Sequence, residues 1–181
     1  MEYKIVITGV TGAGKTTAIR AVSEIEPVNT DVRNHDAAVA KEFTTVGLDY
    51  GEITLSNGHR LRLYGTPGQA RFEFMWQILA KGALGLIILI DNSQENGLAT
   101  LDTYLDGFSE LIDRTACVVG VGRLESHPQP DLDSYATRLA QRNVLCPVVP
   151  VDVRRRADVL MLLDLLLTQL ELKTGTANDF L

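Results

Sequence analysis

Eight residues, Gly9-Val10-Thr11-Gly12-Ala13-Gly14-Lys15-Thr16, restrict the fold of this chain more than any other stretch. They follow an apolar run, Tyr3 to Thr8, that reads as a strand, and they lead into Thr16 to Ile25, which reads as a helix. The spacing G-x-x-x-x-G-K-[ST] between a strand and a helix predicts a loop that wraps an anion. Its glycines let successive backbone N–H groups turn inward, and the helix start adds the positive end of its dipole. In such a loop Lys15 reaches the β- and γ-phosphates, and the Thr16 hydroxyl ligates a magnesium ion. Gly9, Thr11, Gly12, Ala13, Gly14, Lys15, Thr16 and Thr17 are therefore the candidate residues for holding a nucleoside phosphate.

The rest of the chain continues the alternation. A polar stretch from Pro27 to Phe43 shows little periodicity. Thr45–Leu55 and Arg60–Tyr64 read as two strands joined at Ser56-Asn57-Gly58, a hairpin signal. Ala70–Ala80, Leu98–Ile112, Leu132–Arg142 and Ala157–Leu172 have helical patterns. Gly85–Ile90, Ala116–Val121 and Pro147–Val151 read as strands, the first apolar enough to be buried on both faces. This order predicts an α/β three-layer sandwich with a mostly parallel six-stranded sheet and one antiparallel edge strand. One domain is expected over residues 1–173, with a frayed tail at 174–181.

A formal charge of −6 argues against nucleic acid as the main partner. Cys117 and Cys146 lack metal-ligand spacing and read as reduced thiols of a cytoplasmic protein. The longest apolar run, Ala83 to Ile90, is far below the ~20 residues that span a bilayer. Lipidation signals are also missing, so direct membrane insertion is not expected.

Three further segments carry a family likeness. Tyr64-Gly65-Thr66-Pro67-Gly68-Gln69 resembles the D-[TA]-[AP]-G-Q segment of small Ras-like GTPases, a branch of the P-loop NTPases. Thr45-Val46-Gly47-Leu48-Asp49-Tyr50 is similar to their T-[IV]-G-[VL]-[DE]-[FY] segment, and Leu89-Ile90-Asp91-Asn92-Ser93 to the strand ending that follows. With its G-T-P-G-Q segment the chain most resembles the bacterial and archaeal MglA-type group, whose members are often linked with Roadblock/LC7-domain proteins. The resemblance implies GTP or GDP as ligand and magnesium as cofactor. It also implies that Thr45 places its hydroxyl on the metal and its N–H on the γ-phosphate, that Gly68 offers an N–H to the same phosphate, and that Gln69 orients the attacking water. Gln69, Lys15 and Thr45 then form the catalytic set, with Thr16 and Thr45 on the metal. The expected output is a nucleotide-dependent surface, Asp31–Asp49 plus Gln69–Trp76, that engages a protein effector or regulator.

The chain departs from that pattern in three places. Gly65 stands where these GTPases carry an aspartate that helps hold magnesium's waters, which predicts looser metal binding or transfer of the task to another group. Thr11 occupies a position that is often glycine in Ras, and its side chain predicts slow hydrolysis. Gly122-Arg123-Leu124-Glu125 replaces N-K-x-D. Arg123 is placed to lay its stem along the base face. Glu125 is placed to accept from the guanine N1–H and N2–H pair, whereas adenine N1 would meet repulsion. A binding-only scaffold without turnover and an ATP-binding P-loop protein stay open as alternatives. Arg33 and Arg71 are candidates for a charge-stabilising arginine, and Arg154-Arg155-Arg156 reads as a solvated face. Phe72, Phe74, Met75 and Trp76 divide between the core and a partner surface.

Overall fold

Alternating strands and helices place five strands parallel, because each crossover helix returns the chain to the same end of the sheet. The computed structural model describes residues 1–26, 28–29, 48–68 and 72–174. Its strands are β1 (Glu2–Thr8), β2 (Val28–Asn29), β3 (Asp49–Thr54), β4 (Arg60–Gly65), β5 (Ala83–Asp91), β6 (Ala116–Gly122) and β7 (Val148–Pro150). Its helices are α1 (Lys15–Val22), α2 (Phe74–Ala80), α3 (Gly97–Gly107), α4 (Ser109–Arg114), α5 (Leu132–Gln141) and α6 (Arg156–Thr174). The sheet order is β2-β3-β4-β1-β5-β6-β7. β4, β1, β5, β6 and β7 run parallel, while β3 pairs antiparallel with β4. The mostly parallel sheet with an antiparallel edge is thus as expected, and the two-residue β2 adds a seventh strand beyond β3.

The sheet separates two cores. On one face Ile5, Ile7, Leu61, Leu63 and Leu89 pack against α1 and α6. On the other, Val6, Leu86, Ile88 and Ile90 pack with residues of α2 to α5. Leu86 to Ile90 are all buried because alternate residues of this central strand feed opposite cores.

The single helix expected over Leu98–Ile112 is interrupted, giving α3 and α4. Trp76 packs at the break. Its ring stacks on Phe108 at 5.2 Å between centroids and rests where a Cβ at Gly107 would come within 2.5 Å of it. The hairpin signal holds at Gly58, which has φ +80 in the turn between β3 and β4. The part of the expected strand at 45–47 and the tail at 175–181 lie outside the described residues.

Two long-range contacts tie α1 to distant sequence. Arg156 donates through Nη1 to the carbonyls of Ala21 and Val22, both at 3.1 Å, and so satisfies the end of α1. Val153 packs on Gly14, where a Cβ would meet its Cγ2 at 2.6 Å. Arg156 is exposed, as expected of the three arginines, while its guanidinium also reaches the end of α1. Arg154 and Arg155 have largely exposed side chains and pair with Asp152 and Asp158.

Candidate nucleotide site

The loop between β1 and α1 depends on positive-φ backbone at Gly9, Gly12 and Gly14, with φ of 151, 86 and 95. A side chain at Gly9 would collide with the Leu89 carbonyl of β5. Gly14 caps α1 without any side-chain hydrogen bond, and among the described residues no side chain accepts from the first N–H groups of the helix. Lys15 folds back over the loop, and its Nζ donates to the carbonyls of Gly9 at 2.7 Å and Val10 at 2.9 Å. Burial pushes the Lys15 amine down to about 8, against the opposing pull of Asp49. A polyphosphate beside it would restore the favoured charge.

A cavity of about 330 Å³ opens here, bounded by Thr11, Gly12, Gly14 to Thr17, Asp49 and Thr66 to Gly68. Thr66 is buried, sharing a 2.8 Å hydrogen bond between its hydroxyl and that of Thr8, and its N–H donates to the Ile7 carbonyl. These bonds hold the start of the segment that ends at Gly68. Gly68 lies against the backbone of Thr11 so closely that a Cβ would collide with it. Thr45 and Gln69, with Arg33 and Arg71, lie outside the described residues.

Gly65, the departure on the metal side, pairs in register with Asp49 across the β3–β4 ladder. A Cβ at Gly65 would come within 3.0 Å of the Asp49 Cβ and 3.2 Å of its Oδ2. Asp49 thus fills the space beside the missing side chain, and its Oδ2 accepts the Thr16 hydroxyl at 2.6 Å. A hydroxyl and a carboxylate at a phosphate cavity are hard oxygen donors that suit magnesium, which keeps waters and phosphate oxygens as its other ligands. Among the described residues no cluster of three or more His, Cys, Asp or Glu could hold a metal by itself. Sequence reasoning placed Asp49 only within a motif. The signal it passed over was a strand carboxylate whose cross-strand neighbour is glycine.

A second cavity, about 720 Å³, continues from Ala13 and Thr17 to the loop after β6. Arg123 lines it with a positive φ of 63, and its Nη1 donates to Asp91 Oδ2 at 2.6 Å and to the Ser93 hydroxyl at 2.8 Å. Burial would raise the Asp91 pKa, but the bonds from Ser93 and the Arg123 charge outweigh it and hold the carboxyl below the usual range. Asp152 receives Arg154 Nε and Nη2 at 2.8 and 2.7 Å, which brings its pKa to about 2. Asp158 accepts the Asp152 N–H at 2.9 Å. Glu125 differs from these three acids. It is exposed at the cavity wall, with the Arg154 charge nearby and no hydrogen bond to its carboxylate among the described residues.

The aromatic cluster that follows residues 69–71 divides between the core and the exposed surface. Trp76 is in the core, whereas Phe74 is 64% and Ile78 59% exposed, one helical turn apart on α2. No described helix is long and apolar enough to cross a membrane.

Comparison with known proteins agrees with this arrangement. The family profile described as 50S ribosome-binding GTPase matches residues 4–121, ending just before the loop that carries Arg123 and Glu125. An uncharacterized protein of Methanocaldococcus jannaschii is 31% identical over 93 residues, 51% of this chain and 53% of that protein. Ras-related protein Rab-18 of Lymnaea stagnalis is 28% identical over 123 residues, 65% of this chain and 55% of its own. Ras-related protein Rab-8A of Gallus gallus is 25% identical over 134 residues, 72% and 52% of the two chains. The chain spans about half the length of the curated relatives it matches.

Proposed function

The chain belongs to this GTPase family, as a small Ras-like GTP-binding protein, and from that premise we propose that it is a guanine-nucleotide switch of the MglA-type group with slow hydrolysis. The observation that carries the reading is the 2.6 Å bond from Thr16 to Asp49 beside the uncapped start of α1. It supplies a carboxylate at the metal side of the phosphate cavity despite glycine at position 65.

Lys15 and the N–H groups of the loop and of α1 bind the phosphates and neutralise their charge, without moving during reaction. Thr16 and Thr45 would hold magnesium, with Asp49 orienting the Thr16 hydroxyl. When bound, the ion supplies charge neutralisation at the β- and γ-phosphate oxygens. Gln69 places the attacking water, and Gly68 closes the site against Thr11. The Thr11 side chain, exposed in that cavity, hinders the water's approach and keeps turnover slow. Glu125 accepts from guanine and repels adenine. Loss of the γ-phosphate would release the segments at Asp31–Asp49 and Gln69–Trp76, which present a nucleotide-dependent surface to a protein partner of the Roadblock/LC7 kind.

Titration of nucleotide-free protein with GDP, GTP, ADP and ATP in magnesium tests the reading. Guanine nucleotides binding at least about a hundredfold tighter than adenine nucleotides is the expected result. Preference for ATP would replace the assignment with an ATP-binding protein. Tight GTP binding without phosphate release over hours, unchanged by Gln69→Leu, would make the protein a binding-only scaffold.

A further inference from the structure

The loop after β6 carries Glu125 into the base cavity, yet position 122 is glycine where the family pattern has a bracing asparagine. A carboxylate on an unbraced loop would discriminate poorly between bases, since recognition needs a fixed acceptor. The structure contains a brace on the neighbouring strand. Asn92, directly after β5, is only 3% exposed, and its amide nitrogen donates to the carbonyls of His127 at 2.6 Å and Pro130 at 3.0 Å. Its amide oxygen accepts the hydroxyl of Tyr135 at 2.6 Å, and Tyr135 is itself fully buried at the start of α5. Burial pushes that hydroxyl up to about 12, so it stays a donor.

Each neighbour of Asn92 holds the same loop. The Asn92 N–H donates to the Gly122 carbonyl, while Asp91 and Ser93 hold the Arg123 guanidinium. Residues 91–93 thus grip the loop at 122, 123, 127 and 130, on both sides of Glu125. Gly97 makes room for the arrangement, because a Cβ there would collide with the Tyr135 hydroxyl. Both amide donors of a buried side chain are engaged by loop carbonyls rather than by β5 itself. A core position needing only shape would be filled by an apolar residue.

We infer that Asn92, oriented by Tyr135, is the positioning residue for base recognition, supplying from β5 the brace that Gly122 cannot. The inference rests on the proposal that Glu125 reads guanine. Asn92→Asp keeps the shape but turns an acceptor toward two carbonyl oxygens. Tyr135→Phe deletes one oxygen and frees the Asn92 amide to rotate. The ratio of GDP to ADP affinity should fall about tenfold or more in Asn92→Asp and severalfold in Tyr135→Phe. Affinity for inorganic tripolyphosphate, read by the phosphate loop alone, should stay within twofold of wild type.

A wild-type ratio near one would overturn the Glu125 reading together with this inference. A large wild-type ratio that both variants retain would overturn the inference alone. Parallel loss of GDP and tripolyphosphate affinity in Tyr135→Phe would also overturn it, because the network would then support the fold generally. If Asn92→Asp does not fold, Tyr135→Phe decides the question.

Discussion

Replacing Asp49 with asparagine preserves the shape of the metal side of the site and removes its charge. Thr16 donates its hydroxyl to Asp49 Oδ2 at 2.6 Å. A hydrogen bond to a charged acceptor contributes about 1.5–3 kcal/mol, and a neutral one about 1 kcal/mol. The difference of about 0.5–2 kcal/mol corresponds to a factor of roughly 2–30. Its upper part overlaps the roughly 10- to 100-fold losses typical when a partner of a metal ligand is removed. The assay is release of a fluorescent GDP analogue as free magnesium is varied. Asp49→Asn should raise the magnesium concentration for half-maximal retention about tenfold and leave the release rate in excess chelator unchanged. Gly65→Asp alone should weaken retention and stability, because its Cβ would crowd Asp49 and the Ile19 Cδ1 at 3.3 Å while adding a second negative charge. Exchanging the two, Asp49→Gly with Gly65→Asp, should recover most of the loss by returning one carboxylate to the shared space, a coupling that a double-mutant cycle measures. An Asp49→Asn midpoint within twofold of wild type would refute the reasoning, as would a double variant no better than either single one.

Other outcomes follow from the same geometry. Burial brings the Lys15 amine to about 8 in the folded protein, below its ordinary value of 10.5. Between those values the unfolded chain binds more protons, so nucleotide-free protein should gain about 3 kcal/mol of stability as pH rises from 8 toward 10.5. Urea unfolding at pH 7.5 and 9.5 should show that slope in wild type and not in Lys15→Met; equal slopes would exclude it. Arg156→Ala removes both bonds at the end of α1 and should lower Tm by about 2–4 °C per kcal/mol lost, measured by calorimetry. Gly107→Ala puts a Cβ into the Trp76 ring and should destabilise by about 1–3 kcal/mol while shifting the emission of the chain's single tryptophan; an unchanged spectrum would mean that Gly107 does not set that packing.

The phosphate loop was legible because its geometry is local: the glycines at 9, 12 and 14 are the positions whose φ is positive. The strands were legible for the same reason, since burial on one or two faces writes itself into consecutive residues. Asp49 was not, because its importance comes from a register that sets it opposite Gly65, sixteen residues away along the chain. Asn92 read as the end of a strand, and its partners at 127, 130 and 135 become neighbours only once β5, β6 and α5 are packed. The break between α3 and α4 hides similarly, for the helical pattern runs through Gly107 without interruption and Trp76, which stacks on Phe108 at the break, is distant along the chain. Local rules write the phosphate loop into consecutive residues; pairings between distant segments set the groups that surround it.

The contacts of α1 with Val153 and Arg156 also bear on how the molecule comes into being. All eight residues of the loop leave the ribosome early, but the surface against which Gly14 packs and the cap on α1 are made about 140 residues later. The leucines of α6 that share a core with Ile19 and Val22 emerge later still. A nascent chain stopped at residue 150 therefore carries the whole motif and lacks the support that completes the site. A nucleotide held there would act as a latch, adding stability only once Gly14 and α1 have met Val153 and Arg156.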